Sequence, residues 1–577
     1  MSIPSPYYFV PRNDQVVLLD PTEAQSISQD RPFEDGLCGS FQITFTATTP
    51  IFTRDSTSPD TFFQLPGGRF AILPASVTGA VRQILGAAAF GKLKRVADHV
   101  YSVRNLNDEK YRRLVANVEG GWLSLTPEGP IIHPCPAHKV RQDILEAAHR
   151  GLDLGKKQSA IDKYAAWAAH GAAKLTGTWP DSDPKKNGAN NTGTLVFAGQ
   201  PFPRGMNPQA KFTECVFGAP DPESLPVPDR VFIDFLTLHE DPEGIWKKRW
   251  LAKFQSGERV PVFFEADASG KVTCMGLSQM MRVPSPARLH ERLGPAANDH
   301  LSDHLDLPDA IFGFAANRDG DGLRRRADFS VFTAVGENIQ PMAIISTLLA
   351  EPKASYYPNY LQQPPNGDLV TYLDDAKVAP IRGRKFYAAR ADSPNHSIPK
   401  DHTHPKQNTR LTPLPADTVF TGRCHIHNLR PYELGALVWA LTFGEYPSPN
   451  PVCRLRLGGG KPFGLGCVQV SLSDPRLRPN DPGTETTTDR ILSDAVAAFE
   501  TWMQSKVPDW KTSPQIRELI AIHRSDHGVG NEHFDYPKLS TGDNRTNQFQ
   551  DFIRARQSLP DFSSLLPPDD PQPVSAP

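Results

Sequence analysis

The stretch TVFTGRCHIHNLRPYELGALVWALTF (418–443), with VCRLRL and CVQVSL after it, limits the possible folds more than any other part of the chain. An alternating run reads as a half-buried strand. Leu434, Leu437, Val438 and Leu441 then recur at helical spacing, and two short strand-like runs follow. A matching block opens the chain. In GSFQITFTATTPIF, Phe41, Ile43 and Phe45 share one face of a strand. A polar loop, TRDSTSPDTFFQLPGG, leads to a second short strand, RFAIL. Then SVTGAVRQILGAAAFGKL carries Val77, Val81, Ile84 and Leu85 at helical spacing, with Ser76 placed to cap the helix. Laid end to end, the blocks give strand, helix, strand and strand, helix, strand. The expected fold is α+β, with a ferredoxin-like or RRM-type core carrying large insertions. Sheets of this kind often bind single-stranded RNA.

The chain of 577 residues is long enough for roughly two to four domains. Expected boundaries are 1–93 (lead-in, first strand, long loop, first helix), 94–305 (an insertion or second small α+β unit), 306–475 (second part of the core) and 476–577 (linker, helices and a disordered tail). Within 94–305 the runs TLVFAG, RVFIDFLTL and VPVFFEAD read as β-like. The segment SIPKDHTHPKQNTRLTPLPAD reads as a polar, Pro-rich connection.

A formal net charge of −2 excludes a chain that is a general sponge for nucleic acid, so any RNA contact must come from local basic surface. Seven cysteines without a C-x-x-C pair suggest neither a disulfide framework nor a structural zinc site. The N-terminus has no signal pattern, and the apolar runs fall far short of the ~20 residues that span a bilayer. A reduced, cytoplasmic protein with no membrane partner is the expectation.

Between the last two strands lies LGGGKPFGLG, with five glycines in the nine residues from Gly458 to Gly466. A P-loop is excluded because Pro462 follows Gly460-Lys461. A Rossmann turn is excluded because Phe463 stands where the third glycine belongs. What remains is a Gly-rich turn flanked by Arg454, Arg456 and Lys461. Two readings stay open: main-chain amides and cations facing a polyphosphate backbone, or a plain glycine hairpin.

Asn317, Asp319, Asp321, Gly322 and Asp328 fall at EF-hand positions, but Arg324–Arg326 would set three cations beside the metal, so a turn with a basic cluster is the better reading. His402 and His404 lack an obvious third ligand. Cys424, His425 and His427 alternate along a strand, and two ligands are not a metal site.

The segments PYYFVPRNDQVV, RPFEDGLCGSFQITFTATTPIF, FAILPASVTGAVRQIL, IFGF, ADFSVFTA, PKASYYPNYL, RGRKFYAAR, NLRPYELGALVWAL and GGGKPFGLG together resemble the CRISPR-associated RAMP superfamily. Within it, the chain is most similar to a large single-chain, Cas7-like family of type III CRISPR systems. The resemblance runs from about Pro6 to Leu472 and is weakest in the middle. LPAS departs from the family, which more often has a glycine before the serine.

The resemblance implies a subunit that lies along guide RNA beside other effector subunits, and whose relatives often cut paired target RNA. The cutting aspartate would come from the loop after the first strand. Asp60 stands at about the family spacing, and Asp55 is second. RNA supplies its own 2′-OH nucleophile. A carboxylate has only to hold a divalent ion, with Mg2+ expected, or to accept the 2′-OH proton, a contribution of about 10²–10⁴-fold. Guide contacts would come from Ser76, Gly79 and Arg82, from Gly458, Gly459, Gly460, Lys461, Phe463, Gly464 and Gly466 with Arg454 and Arg456, and from the cluster Arg382, Arg384 and Lys385. Two other readings are a non-catalytic RNA-holding scaffold and a Cas6-like guide-processing endoribonuclease, for which His99 and later histidines offer no telling context.

Overall fold

The alternation over residues 37–47 folds into strand β1 (Leu37–Ala47) of a computed structural model. Residues 3–94, 96, 98–106, 108–149, 151–170, 174–182, 190–200, 211–315, 322–349, 353–393, 408–483, 490–539 and 547–567 are described. Phe41, Ile43 and Phe45 are fully buried, each worth roughly 1.5–3 kcal/mol against exposure. The residues between them, Ser40, Gln42, Thr44 and Thr46, stay partly exposed, so the strand has one apolar and one polar face. Helix α1 (Pro74–Ala88) follows and buries Val77, Val81, Ile84 and Leu85. Its cap is Leu73 rather than Ser76. Pro74, whose missing N–H costs nothing there, occupies the first turn, and the Ser76 N–H donates to the Leu73 carbonyl at 3.1 Å.

The rest of the core comprises β2 (Ala327–Phe329), β3 (Phe332–Ala334), β4 (Val419–Leu429), α2 (Pro431–Thr442) and β5 (Cys467–Pro479). β1 lies between β5 and β4, and both β2 and β3 pair with the far edge of β4; every pairing is antiparallel. Taking β2 and β3 as one interrupted strand, the spatial order is fourth, first, third, second. That is the order expected when each of two strand–helix–strand units brackets a strand of the other, so the chain has the expected α+β, ferredoxin-like core. Helix α2 is buried from Glu433 to Thr442, because α3 (Ile491–Lys506) packs against it; Gly435 permits this, since a Cβ there would lie 1.8 Å from the Ala495 carbonyl oxygen.

The polar lead-in holds a strand. Tyr7–Pro11 pairs antiparallel with Gly383–Tyr387, and Tyr8 and Val10 are fully buried. The Pro-rich connection also holds one, Asn408–Leu411, paired with Ile345–Leu348. Both segments are too short for their alternation to stand out from flanking prolines.

The contacts divide the chain into one unit of residues 1–97, 290–371 and 376–577, which contains this core, and another of 98–289 and 372–375. The second unit has a four-stranded and a five-stranded antiparallel sheet around Leu123, Ile132, Trp167, Trp246 and Phe264. The run RVFIDFLTL is not a strand. It forms the helix Asp229–Leu238, because Val231, Phe232, Phe235 and Leu236 keep helical spacing and find an apolar partner. Within the same unit, buried Glu214 holds Lys163 at 2.6 Å and Lys211 at 2.7 Å.

Candidate nucleic-acid interface

The Gly-rich turn closes between Leu455–Arg456 and β5, and its glycines are explained first by backbone crowding. A Cβ on Gly458 would lie 2.0 Å from the Phe52 carbonyl oxygen, and one on Gly466 would lie 1.9 Å from that of Leu457; both residues also have positive φ. The Gly459 N–H donates to Phe52 at 2.7 Å and the Gly466 N–H to Pro50 at 2.8 Å, fastening the turn to the segment that leaves β1. Gly460, Phe463, Gly464 and Gly466 are buried.

Both flanking arginines are turned onto main-chain carbonyls, Arg456 within the turn and Arg454 in the segment before it. Arg456 is 5% exposed and donates to the carbonyls of Lys461 at 2.8 Å and Gly464 at 3.3 Å, with the Cys467 sulfur also in contact. Arg454 donates to the carbonyls of Pro451 at 2.9 Å and Cys453 at 3.0 Å. Lys461 differs from both. The residue is half-buried, and among the described residues its ammonium has no carboxylate within ion-pair distance and no hydrogen-bond acceptor. Burial and the neighbouring Arg456 guanidinium bring its pKa down to about 8. The nearby His523 imidazole is held neutral, at about 4, by its own burial. A desolvated cation next to a second cation, with no counter-charge, is set up to receive an anion.

The two aspartates occupy the tip of a narrow hairpin that starts at the same segment. Thr53 and Phe63 bond across it, as do Asp55 and Thr61. The Asp55 carboxylate accepts from the Thr57 hydroxyl at 2.7 Å and its N–H at 2.8 Å. These two bonds hold its pKa below the usual carboxylate range. Asp60 pairs with Arg410 at 3.5 Å, and its carbonyl accepts from the Thr412 N–H at 2.9 Å. Between those two partners lies Leu411, fully in the core, within 3.2 Å of where a Gly460 Cβ would stand. The 410–412 segment therefore joins the Asp-bearing hairpin to the Gly-rich turn. Sequence reading missed Arg410 and Thr412, since both lie in the segment taken as a connection.

The other candidate residues are placed differently. Ser76 and Gly79 lie exposed on α1, and nothing stands within 4 Å of a Cβ added at Gly79. Arg82 pairs with buried Asp309 at 3.0 Å and donates to the Gly313 carbonyl at 3.0 Å; Lys92 and Lys94 share the same carboxylate. The basic cluster on Gly383–Tyr387 is largely committed inward. Arg384 donates to the carbonyls of Gly91 at 2.8 Å and Lys92 at 3.0 Å, and burial lowers its pKa to about 10. Arg382 pairs with Asp561 at 2.7 Å and lines a cavity of about 460 Å³ with Arg12 and Gln515. The Lys385 ammonium rests 5.1 Å from the centre of the Tyr7 ring and 5.3 Å from that of Tyr387.

Of the three consecutive arginines, Arg326 is buried while Arg324 and Arg325 are exposed; positions 317, 319 and 321 of the EF-hand-like run lie outside the described residues, as do His402 and His404. Among the described residues no three His, Cys, Asp or Glu side chains are grouped to hold a metal, and no helix is long and apolar enough to cross a membrane.

No family model matches the chain, and no curated protein does. Among solved structures the chain is similar to the crystal structure of Thermofilum pendens Csc2, at 12% identity and a TM-score of 0.23, over 93% of this chain and 90% of that one. The strand order, not this likeness, defines the core.

Proposed function

We propose that this chain is a Cas7-like RNA-binding subunit of a type III CRISPR effector, holding guide RNA against the Gly-rich turn and cutting complementary target RNA from the adjoining hairpin. The observation that carries the binding half is Lys461, a desolvated ammonium without a counter-charge among the described residues. A backbone phosphate would supply the missing charge. The cutting half is supported by the junction of Asp60 with the turn through Arg410, Leu411 and Thr412. It also draws on the sequence resemblance.

Asp60 is the preferred cleavage residue and Asp55 the second. Two partly exposed carboxylates suit Mg2+, which takes one or two carboxylates and keeps water and phosphate oxygens as its other ligands. The ion would supply charge neutralisation at the phosphate. The protein's own part is to present a carboxylate that stays ionised and to fix the RNA backbone beside it. Asp55, held in its charged form by Thr57, meets the first requirement.

A second reading, a non-catalytic scaffold, is favoured by the fact that both carboxylates already have partners, Thr57 and Arg410. Reconstitution with guide RNA, complementary target RNA and Mg2+ separates the two. Cleavage lost in Asp60→Ala or Asp55→Ala with guide binding intact supports the nuclease. Binding without cleavage by the unaltered protein supports the scaffold. Unchanged guide affinity in Lys461→Gln removes the binding half.

A further inference from the structure

At the end of the sheet away from the Gly-rich turn, β1 and β4 fall out of step. Leu37 pairs with Leu429 but Gly39 pairs with Ile426, so His427 and Asn428 together face Cys38. Asn428 absorbs the extra residue with a φ of 54°, a conformation asparagine tolerates. The bulge turns two groups toward one sulfur. His427 Nδ1 lies 3.7 Å from Cys38 Sγ, and the Asn428 N–H donates to the same sulfur at 3.2 Å. On the far side of the ring, His427 Nε2 lies 3.1 Å from the Gln29 carbonyl oxygen. A carbonyl can only accept, so Nε2 carries the hydrogen and Nδ1 presents its lone pair to the thiol.

Thiol, base and a third group orienting the base form the arrangement that activates a sulfur nucleophile. The surroundings carry both signs: Asp328 is the cross-strand partner of His425 and is paired with Arg325, and Asp35 lies near Arg430. Cys38 is the cross-strand partner of Arg478, Ser40 that of Arg476, and His425 is two residues along β4. Asp474, the nearby carboxylate on β5, is paired with Arg423 and Arg476. The Asn480 side-chain oxygen, 3.2 Å from the sulfur, is the nearer acceptor for the thiol hydrogen, so the S–H must turn from Asn480 toward His427 before its proton is taken. Cys38 is also partly exposed. Of the other six, Cys135, Cys274, Cys424, Cys453 and Cys467 are buried, and Cys215 is pushed up to about 11 by burial.

We propose that Cys38 and His427 form a reactive thiol–imidazole pair, and that Cys38 is a site of oxidation by hydrogen peroxide. His427 takes the thiol proton. The thiolate attacks one peroxide oxygen, the O–O bond breaks, and the departing hydroxide takes the proton back from the imidazolium. The products are Cys38 sulfenic acid and water: sulfur is oxidised by two electrons and peroxide is reduced by two. The site is built from β1, β4, the Gln29 segment and the end of β5, and does not depend on the RNA reading.

The test uses the full-length protein and peptide mass spectrometry. With iodoacetamide at pH 7, Cys38 is expected to be alkylated at least about tenfold faster than Cys215. After equimolar peroxide, dimedone should label Cys38. His427→Gln, checked for an unchanged melting temperature, should slow Cys38 alkylation at least about fivefold. If the variant does not fold, the unaltered protein still decides. A Cys38 rate equal to that of Cys215, or no dimedone adduct at Cys38, would each overturn the proposal.

Discussion

The guanidinium of Arg326 grips the carboxylate of Glu433 with both terminal nitrogens, one contact being 2.9 Å, in a site where neither side chain is more than 1% exposed. Arg326 also donates to the carbonyls of Ala310 at 3.0 Å and Asn428 at 2.7 Å, while Glu433 accepts from the Arg430 N–H at 2.9 Å at the start of α2. The pair thus fixes the entry to β2 against the first turn of α2. Removing one partner strands a buried charge, so Arg326→Met or Glu433→Gln should cost about 3–5 kcal/mol in urea unfolding. The double variant Arg326→Met/Glu433→Gln should cost less than the two single changes summed. Additive losses would show that the two charges are not coupled.

Gly79 and Gly458 should respond oppositely to a methyl group. Gly79 sits within α1 with open space around its Cβ position, so Gly79→Ala should stabilise the fold by about 0.5–1 kcal/mol. Gly458→Ala has both a positive φ and the Phe52 carbonyl against it, and should destabilise by about 1–3 kcal/mol. Thermal unfolding of the two proteins checks this. If Gly79→Ala also weakens guide RNA binding despite its higher melting temperature, that face of α1 approaches the nucleic acid.

Lys461 gives a pH signature of definite sign. Its folded pKa, about 8, lies below the ordinary lysine value of 10.5, so between those values the unfolded chain binds more protons. Stability should therefore rise as pH increases from about 8 toward 10.5. RNA affinity should move the other way, weakening above about pH 8 as the ammonium loses its charge. Lys461→Met should flatten both trends and stabilise the free protein at pH 7. Filter binding and denaturation across pH 7–10 would reveal it, and equal pH slopes in the two proteins would refute it.

Glu518 straps the C-terminal segment to the core by accepting from the Phe562 N–H at 3.0 Å and the Ser563 N–H at 3.2 Å. Burial raises its pKa, so the neutral form is the one that folding favours, and this contribution fades as pH rises through the folded value. Glu518→Gln, which keeps an acceptor, should be tolerated at pH 7. Glu518→Ala should lose about 1–3 kcal/mol by leaving two N–H groups unserved. Limited proteolysis near Leu559–Leu565 should accelerate only in the alanine variant.

Much of the core was legible because its strands and helices are long enough to show a period. β1, β4, α1 and α2 are each eleven residues or more, and their apolar periods mark each as strand or helix, whereas the side-by-side order of the strands comes from the pairing. Where an element is short, or its composition opposes its conformation, the pattern misleads. Tyr7–Pro11 and Asn408–Leu411 were hidden by neighbouring prolines. Asp229–Leu238 is rich in β-branched and aromatic residues yet helical. Charge was harder to read still. Arg326, Arg384 and Arg456 look like surface cations in a string of letters, but each is turned inward onto carbonyls. Nothing local to Lys461 sets it apart from these three.

The short run Arg410-Leu411-Thr412 carries one further consequence. Its middle residue is wedged beneath Gly460 while its neighbours grip Asp60 from either side. Three consecutive residues cannot shift independently. A displacement of the turn by whatever settles on it would therefore be felt at the hairpin tip without a long relay, giving the molecule a lever one peptide unit long on each side of its fulcrum.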